Sequence, residues 1–229
     1  MDRKKIIMKN VSYSITEGGR KRKLLNDVNV EFDGEKITVI SGPSGSGKTT
    51  LLYAMAGLLD KVDGSIYVGG KDINKIGVKE KAELRLNNIS IIFQNLNLFS
   101  FMNVEDNIMV PLYLKNRKIT EEIRSKISHY LDVMCLGQIQ KKSISNLSGG
   151  EQQRVAIIRA LIDDPEVVLC DEPTASLDSE NTRQFMETLV KISKESGAAI
   201  VIVTHDARVF AYGDVKVTMI DGELFYEKM

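Results

Sequence analysis

Gly42-Pro43-Ser44-Gly45-Ser46-Gly47-Lys48-Thr49 restricts the fold of this chain more than any other stretch of its length. The spacing is GxxxxGK[ST], a loop that works only where a strand ends and a helix begins. Its glycines let successive N–H groups turn inward around an anion, and the helix that follows adds the positive end of its dipole. The flanking sequence meets that demand. Lys36 to Ile40 is a short apolar strand, and Thr49 to Leu58 carries a helical pattern. Gly42, Ser44, Gly45, Ser46, Gly47, Lys48, Thr49 and Thr50 are therefore expected to hold the phosphates of a nucleotide. Lys48 would reach the β- and γ-phosphates, and the Thr49 hydroxyl would be available to Mg²⁺.

A second apolar strand, Val167 to Cys170, ends in Asp171-Glu172-Pro173. Ligands of open α/β sheets lie at the carboxyl ends of strands, so both carboxylates are delivered to the nucleotide. Asp171 suits the Mg²⁺ shell, directly or through water. Glu172 is then placed to orient and deprotonate an attacking water. Cys170 reads as a small core residue. A helix from about Ser179 to Ser196, with Phe185, Leu189 and Ile192 on one face, stops at Gly197 and leads to the apolar run Ala199 to Val203. Strand, helix and strand at this length imply a right-handed parallel crossover with both strands buried on both faces.

The remaining chain supplies the surroundings of that core. Ile7, Lys9, Val11 and Tyr13 alternate onto one strand face, and Val28, Val30 and Phe32 onto another. Glu17 to Lys23 between them reads as a hairpin-like turn with a solvated basic run. Gly64 to Val68 and Ile89 to Phe93 read as further strands. From about Leu96 to Asn146 the pattern turns helical. Thr120 is a candidate N-cap, Ile123, Ile127, Tyr130, Leu131 and Met134 mark one face, and Gly137 is a candidate C-cap. His129 has no motif around it and reads as a surface residue. The tail, Val215 to Tyr226, forms a hairpin turning at Asp221-Gly222. The expected fold is an α/β core with a parallel sheet, an N-terminal antiparallel β subdomain and a helical insert.

Composition narrows the class of protein. Lys+Arg 31 balances Asp+Glu 31, which argues against a dedicated nucleic-acid binder with its basic face. Apolar stretches such as Ala198 to Val203 fall far short of the ~20 residues that span a bilayer. No charged-then-apolar leader precedes the first strand, so the chain is expected to stay where it is made. Cys135 and Cys170 form no metal-spaced cluster, and a reduced cytosolic compartment is the simplest reading.

Leu147-Ser148-Gly149-Gly150-Glu151 precedes a helical run from Gln152 to Ile162. Ser148 could cap that helix, and the glycines let an anion approach its exposed N–H groups. One nucleotide needs only one such nest. The second either merely caps a helix or serves a nucleotide held by another subunit.

At LSGGEQQR the sequence resembles the ATP-binding cassette family, whose signature motif it matches residue for residue, between phosphate loop and acidic strand end as in that family. The resemblance spans the whole chain and implies a single P-loop nucleotide-binding domain, 1–229. Residues 1–95 and 153–229 would form the ATPase core with its β subdomain, and 96–152 the helical subdomain. Tyr13 falls where the family stacks an aromatic on adenine. Gln94 in Ile91-Ile92-Phe93-Gln94 matches its glutamine loop, with contact to Mg²⁺ or the lytic water. Ser176-Leu177-Asp178 matches the loop after the catalytic glutamate, and His205 the switch histidine.

The resemblance implies an ATPase that binds ATP and Mg²⁺ and forms a head-to-tail homodimer when ATP-bound. Ser148, Gly149 and Gly150 of one protomer would then contact the γ-phosphate held by the other, with Asp178 linking the two sites. It also implies a separate membrane permease, on which this chain would be peripheral at the inner face of the membrane. Asn95 to Met102 is apolar for a loop, and reads either as local core of the insert or as the groove receiving a permease helix. Leu84 to Leu112 looks most like the branch of macrolide and antimicrobial-peptide exporters and lipoprotein-releasing systems, which implies export of peptides, antibiotics or lipid-linked cargo. The alternative is a cassette of DNA-repair or translation ATPases. Against it stand the compact insert without paired cysteines, the single cassette and the neutral charge, so no nucleic-acid partner is expected.

Overall fold

The computed structural model describes residues 4–175 and 177–227, so Ser176 lies outside the described residues, as does the side chain of Ile192. Ten strands and seven helices follow one another among the described residues, joined by short 3₁₀ turns. β1 (Lys4–Glu17) and β2 (Arg20–Asp33) form a long hairpin. β3 (Ile37–Ser41) leads into α1 (Lys48–Met55), followed by β4 (Asp63–Val68), β5 (Lys71–Asp72), α2 (Val78–Asn88) and β6 (Ile89–Ile92). Then come α3 (Val104–Leu114), α4 (Glu121–Val133), α5 (Gly149–Leu161), β7 (Val167–Asp171) and α6 (Ser179–Ser196). The chain closes with β8 (Ala199–Val203), α7 (Ala207–Phe210), β9 (Val215–Ile220) and β10 (Glu223–Tyr226).

The strands divide into two sheets. One is antiparallel, in the order β2-β1-β4-β5; the other runs β10-β9-β3-β8-β7-β6. In the second sheet every neighbouring pair is parallel except the hairpin of β9 with β10. Its central strands are buried on both faces, as their continuous apolar runs require. Val168, Cys170, Ile200 and Ile202 pack with helices α3 to α6, whereas Val167, Leu169, Val201 and Val203 pack with α1 and the antiparallel sheet. Each fully buried Val, Leu or Ile side chain contributes about 1.5–3 kcal/mol relative to exposure. The core helices need no propensity of their own when both faces of the sheet are covered in this way.

The helix ends follow their sequence signals. Thr120 caps α4 by accepting from the Ile123 N–H at 3.4 Å, and Gly197 ends α6 in the left-handed conformation at φ 69°. Ser148 caps α5 in a reciprocal capping box with Glu151. The tail hairpin turns at Asp221 and Gly222, both at positive φ.

Three local expectations change. Ile6 and Met8, rather than Ile7 and Lys9, face the core, because a bulge at Lys9 and Asn10 reverses the alternation before Val11. Asn10 takes φ 52° there, and its amide nitrogen donates to Asp27. The β1–β2 turn is only Gly18 and Gly19, so the basic residues from Arg20 to Lys23 are strand rather than loop. Gly137 does not end α4. Cys135 takes the left-handed position at φ 55°, and Gly137 opens a 3₁₀ turn.

A left-handed conformation costs a side-chain-bearing residue about 1–2 kcal/mol. Cys135→Gly is therefore expected to raise the thermal midpoint by about 2–4 °C per kcal/mol recovered. Differential scanning calorimetry checks this; an unchanged or lowered midpoint contradicts it.

Candidate nucleotide site

The carboxyl ends of β3, β8 and β7 lie level. Ile40 pairs with Val203, and Val203 with Asp171. The next residues of all three strands therefore meet at one edge of the sheet, where a cavity of ≈ 650 Å³ opens. That volume is ordinary for a small-molecule site. Ser44, Gly45, Gly47, Lys48, Thr49 and Thr50 line it on one side. Glu172 and His205 close one end, and Ile15, Glu17, Arg22 and Leu24 of the β1–β2 hairpin the other.

The loop is held by close backbone approaches. A Cβ on Gly42 would come 2.2 Å from the Met219 carbonyl oxygen, and one on Gly47 would come 2.4 Å from that of Leu24. Gly47 stands at φ 106° as the residue before α1. Both positions exclude a side chain. Lys48 is buried, and its Nζ donates to the carbonyls of Gly42 at 2.8 Å and Pro43 at 2.9 Å. The buried Ser46 Oγ has no hydrogen-bond partner among the described residues. An orphaned donor beneath a nest of amides at a helix start fits a phosphate group.

Thr49 donates its hydroxyl to Asp171 Oδ1 at 3.0 Å. Burial pushes the Asp171 carboxyl above its usual range, and the neighbouring Glu172 adds to the effect against the Thr49 hydrogen bond and the Lys48 charge. No cluster of three or more His, Cys, Asp or Glu among the described residues could hold a metal ion. The Thr49–Asp171 pair instead fits Mg²⁺, which takes one or two protein oxygens and completes its shell with phosphates and water.

Glu172 follows β7 at φ 46°, a conformation that costs a non-glycine residue energy and concentrates at functional positions. Its carboxylate is fixed from three sides. Oε2 accepts from Thr204 Oγ1 at 3.0 Å and from the His205 N–H at 3.3 Å. Oε1 lies 2.9 Å from His205 Nδ1. A proton on Nδ1 is donated to Oε1, which leaves Nε2 as the ring nitrogen not engaged by Glu172. The His205 side chain is exposed toward the cavity that it lines. Thr204, at the end of β8, was not singled out by its residue type; only the register of β7 beside β8 makes it a partner of Glu172.

The other expected residues lie outside this cavity. Tyr13 does not line it; the ring is half-buried against the core between the sheets, and Ile15 forms the wall. Gln94 follows β6, at the same sheet edge as Asp171, and is exposed. Ser148 and Gly149 are exposed at the start of α5, and a Cβ on Gly150 would lie 3.0 Å from Asn181 Oδ1. Asp178 caps α6 by accepting from the Asn181 N–H at 2.8 Å, which holds its carboxyl below the usual range. The buried Gln153, not anticipated either, donates to the Pro173 carbonyl at 2.9 Å and ties α5 to the turn after Glu172.

A Gly-rich loop between β3 and α1, with an acidic strand end beside it, defines a P-loop nucleotide-binding cassette. Comparison with known proteins agrees. A family model described as ABC transporter matches residues 25–175. The ABC transporter ATP-binding protein YtrE of Bacillus subtilis is 37% identical over 215 residues, covering 93% of this chain and 93% of that protein. The methionine import ATP-binding protein MetN of Vibrio vulnificus is 37% identical over 223 residues, and the match covers 97% of this chain but 64% of that longer protein. A dimeric post-hydrolysis structure of the ATP-binding cassette MJ0796, bound to ADP and Pi, superposes with a TM-score of 0.85 at 33% identity, covering 97% of both chains. This chain belongs to the ABC transporter family. It is an ATP-binding cassette ATPase, the ATP-binding subunit of a transporter, and no helix among its described residues is long and apolar enough to cross a membrane.

Thr204→Val keeps the shape of β8 and removes the hydroxyl from Glu172. Loss of a hydrogen bond to a buried or half-buried carboxylate costs about 1–3 kcal/mol, so kcat for ATP hydrolysis is expected to fall by about fivefold to 150-fold. KM should change little. A wild-type kcat in a folded variant contradicts this placement.

Proposed function

We propose that this chain couples ATP binding and hydrolysis to transport by closing as a head-to-tail homodimer beneath a separate membrane permease. The observation that carries the reading is a mismatch within one chain. Two helices begin at glycine-rich segments, α1 after Gly42 to Gly47 and α5 at Ser148 to Gly150, yet only the first lines the cavity, and the second starts at the surface with a Ser148–Glu151 capping box. A second copy placed head to tail would bring its Ser148, Gly149 and Gly150 to the nucleotide held by the first.

In this reading Gly42, Ser44, Gly45, Ser46, Gly47, Lys48, Thr49 and Thr50 bind the phosphates of ATP. Thr49 and Asp171, with Gln94 nearby, hold Mg²⁺, which neutralises phosphate charge when bound. Glu172 orients the attacking water and takes its proton, and His205 steadies the γ-phosphate and the water. Asp178, fixed at the start of α6 beside Gly150, links the two composite sites. Loss of the γ-phosphate removes contacts to both halves, so the ADP-bound dimer parts.

Residues 1–95 and 153–229 would work as the ATPase core and 96–152 as the helical part that meets the permease. Leu96 and Leu98 pack against the core, whereas Phe99 and Phe101 remain exposed, with ring centroids 5.7 Å apart. The exposed pair suits an apolar permease helix, which would make the chain peripheral at the inner face of the membrane. Export of peptides, antibiotics or lipid-linked cargo rests on the resemblance of Leu84 to Leu112 alone, and the relatives include a protein named for methionine import. The cassette chemistry is the same in either direction.

Glu172→Gln is expected to keep ATP binding, to lose at least about a hundredfold in hydrolysis and to accumulate as an ATP-dependent dimer in gel filtration. In that background, Lys48→Ala and Ser148→Arg each block the dimer alone, and mixing them restores one intact composite site. ATP-bound dimer in the mixture supports the head-to-tail arrangement; its absence overturns it.

A further inference from the structure

The base end of the cavity departs from what the resemblance implies. Between Tyr13 and Ser14 the hairpin changes register. Tyr13 pairs with Leu25 and Ser14 with Lys23, so β1 advances one residue while β2 advances two, leaving Leu24 as the extra residue of a bulge. Tyr13 turns with Leu25 into the core between the sheets, whereas Ile15 and Leu24 turn to the cavity. Leu24 is fixed there because its carbonyl lies against Gly47, where a Cβ would come within 2.4 Å. Arg22, the partner of Ile15, reaches the phosphate loop, with Nη2 3.5 Å from the Gly45 carbonyl oxygen. Glu17 completes this end of the cavity. Among the described residues none of those lining it is aromatic.

On the reading that this cavity binds a nucleoside triphosphate, we propose that Ile15 and Leu24 form its base platform, flanked by Arg22 and Glu17, and that the site takes ATP and GTP with little preference. With the phosphates at the loop and the reacting end at Glu172 and His205, the base extends toward the hairpin. Two aliphatic side chains give it apolar contact on a face, which every purine offers alike. Discrimination between bases comes from polar groups fixed against the base edge, so that the wrong base leaves them unpaired. Arg22 and Glu17 are exposed side chains on the hairpin rather than a buried, rigid reader. A guanidinium can stack on any base. A carboxylate can accept from the adenine amino group or from the guanine N1–H and amino group, and on the exposed Glu17 neither contact is held rigidly. Nothing at this end rejects guanine.

Displacement of a fluorescent ribose-labelled ADP by ATP and by GTP, in the presence of Mg²⁺, tests the proposal on the intact chain. The two triphosphates are expected to compete within about fivefold of each other, since no buried edge contact separates them. Ile15→Tyr places an aromatic on the platform and should tighten ATP by at least about fivefold, the low end of base–aromatic stacking. Tyr13→Leu, which retains apolar bulk in the core, should leave ATP affinity within about twofold, with folding checked by circular dichroism. A wild-type preference for either triphosphate beyond about fivefold, an Ile15→Tyr variant that binds ATP no more tightly, or a folded Tyr13→Leu variant that loses ATP binding each overturns the proposal. Lys48→Ala separates this failure from a wider one. If wild type binds neither triphosphate, or binds them independently of Lys48, the nucleotide reading of the cavity fails as well.

Discussion

The level carboxyl ends of β3, β8 and β7 are the constraint on which the rest of the molecule depends. Ile40, Val203 and Asp171 lie in one row across the sheet, locked by parallel pairing and by apolar packing on both faces. Each chain segment that leaves this row carries chemistry within one or two residues. After Ile40 comes the phosphate loop, after Asp171 comes Glu172, and after Val203 come Thr204 and His205. The Thr49–Asp171 hydrogen bond then ties the first turn of α1 to β7 across 122 residues of sequence. A slip of one residue in any strand would move its polar residue away from the row and its apolar residues to the wrong faces. Core packing and site geometry are therefore set by the same register.

Outside that row, hydrogen bonds carry its position outward. Gln153 joins α5 to the turn after Glu172, and Arg159 donates to the carbonyls of Leu96 and Asn97 just after Gln94. The helix that begins at the signature motif is thus attached at two points to the edge of the sheet that carries the acidic residues. Its opposite end, at Ser148, is exposed. The proposed contact of this exposed start with a second copy would give the helix a part in both nucleotide sites.

Much of this was legible in the sequence where the determining physics is local. The phosphate loop requires glycine where backbone approaches backbone, and the acidic strand end is an apolar run followed directly by carboxylates. The caps at Thr120, Ser148 and Gly197 depend on a few neighbouring residues. What was not legible depends on pairing between distant segments. The bulge at Asn10 reverses the face of Ile7 and Lys9, and the placement of the hairpin on the phosphate loop, with the Leu24 carbonyl against Gly47, leaves Ile15 rather than Tyr13 at the cavity. Thr204 becomes a partner of Glu172 only through the register of β7 with β8. Helix α2 gave little signal because it is largely polar, with only Leu84 buried. Cys135 took the left-handed position that composition would assign to Gly137, since the chain needed the turn two residues earlier.

The central claim is that the anion site at α5 completes a nucleotide site on another copy of the chain. A cysteine pair tests it most directly, in a Cys135→Ser background that removes the exposed native thiol. With Ser44→Cys in the phosphate loop and Ser148→Cys in the signature motif, mild oxidation should yield a disulfide-linked dimer when ATP is bound to a Glu172→Gln chain. With ADP, or without nucleotide, the crosslink should be lost. An ATP-bound chain that stays monomeric, or a crosslink that forms equally in every nucleotide state, would contradict the account.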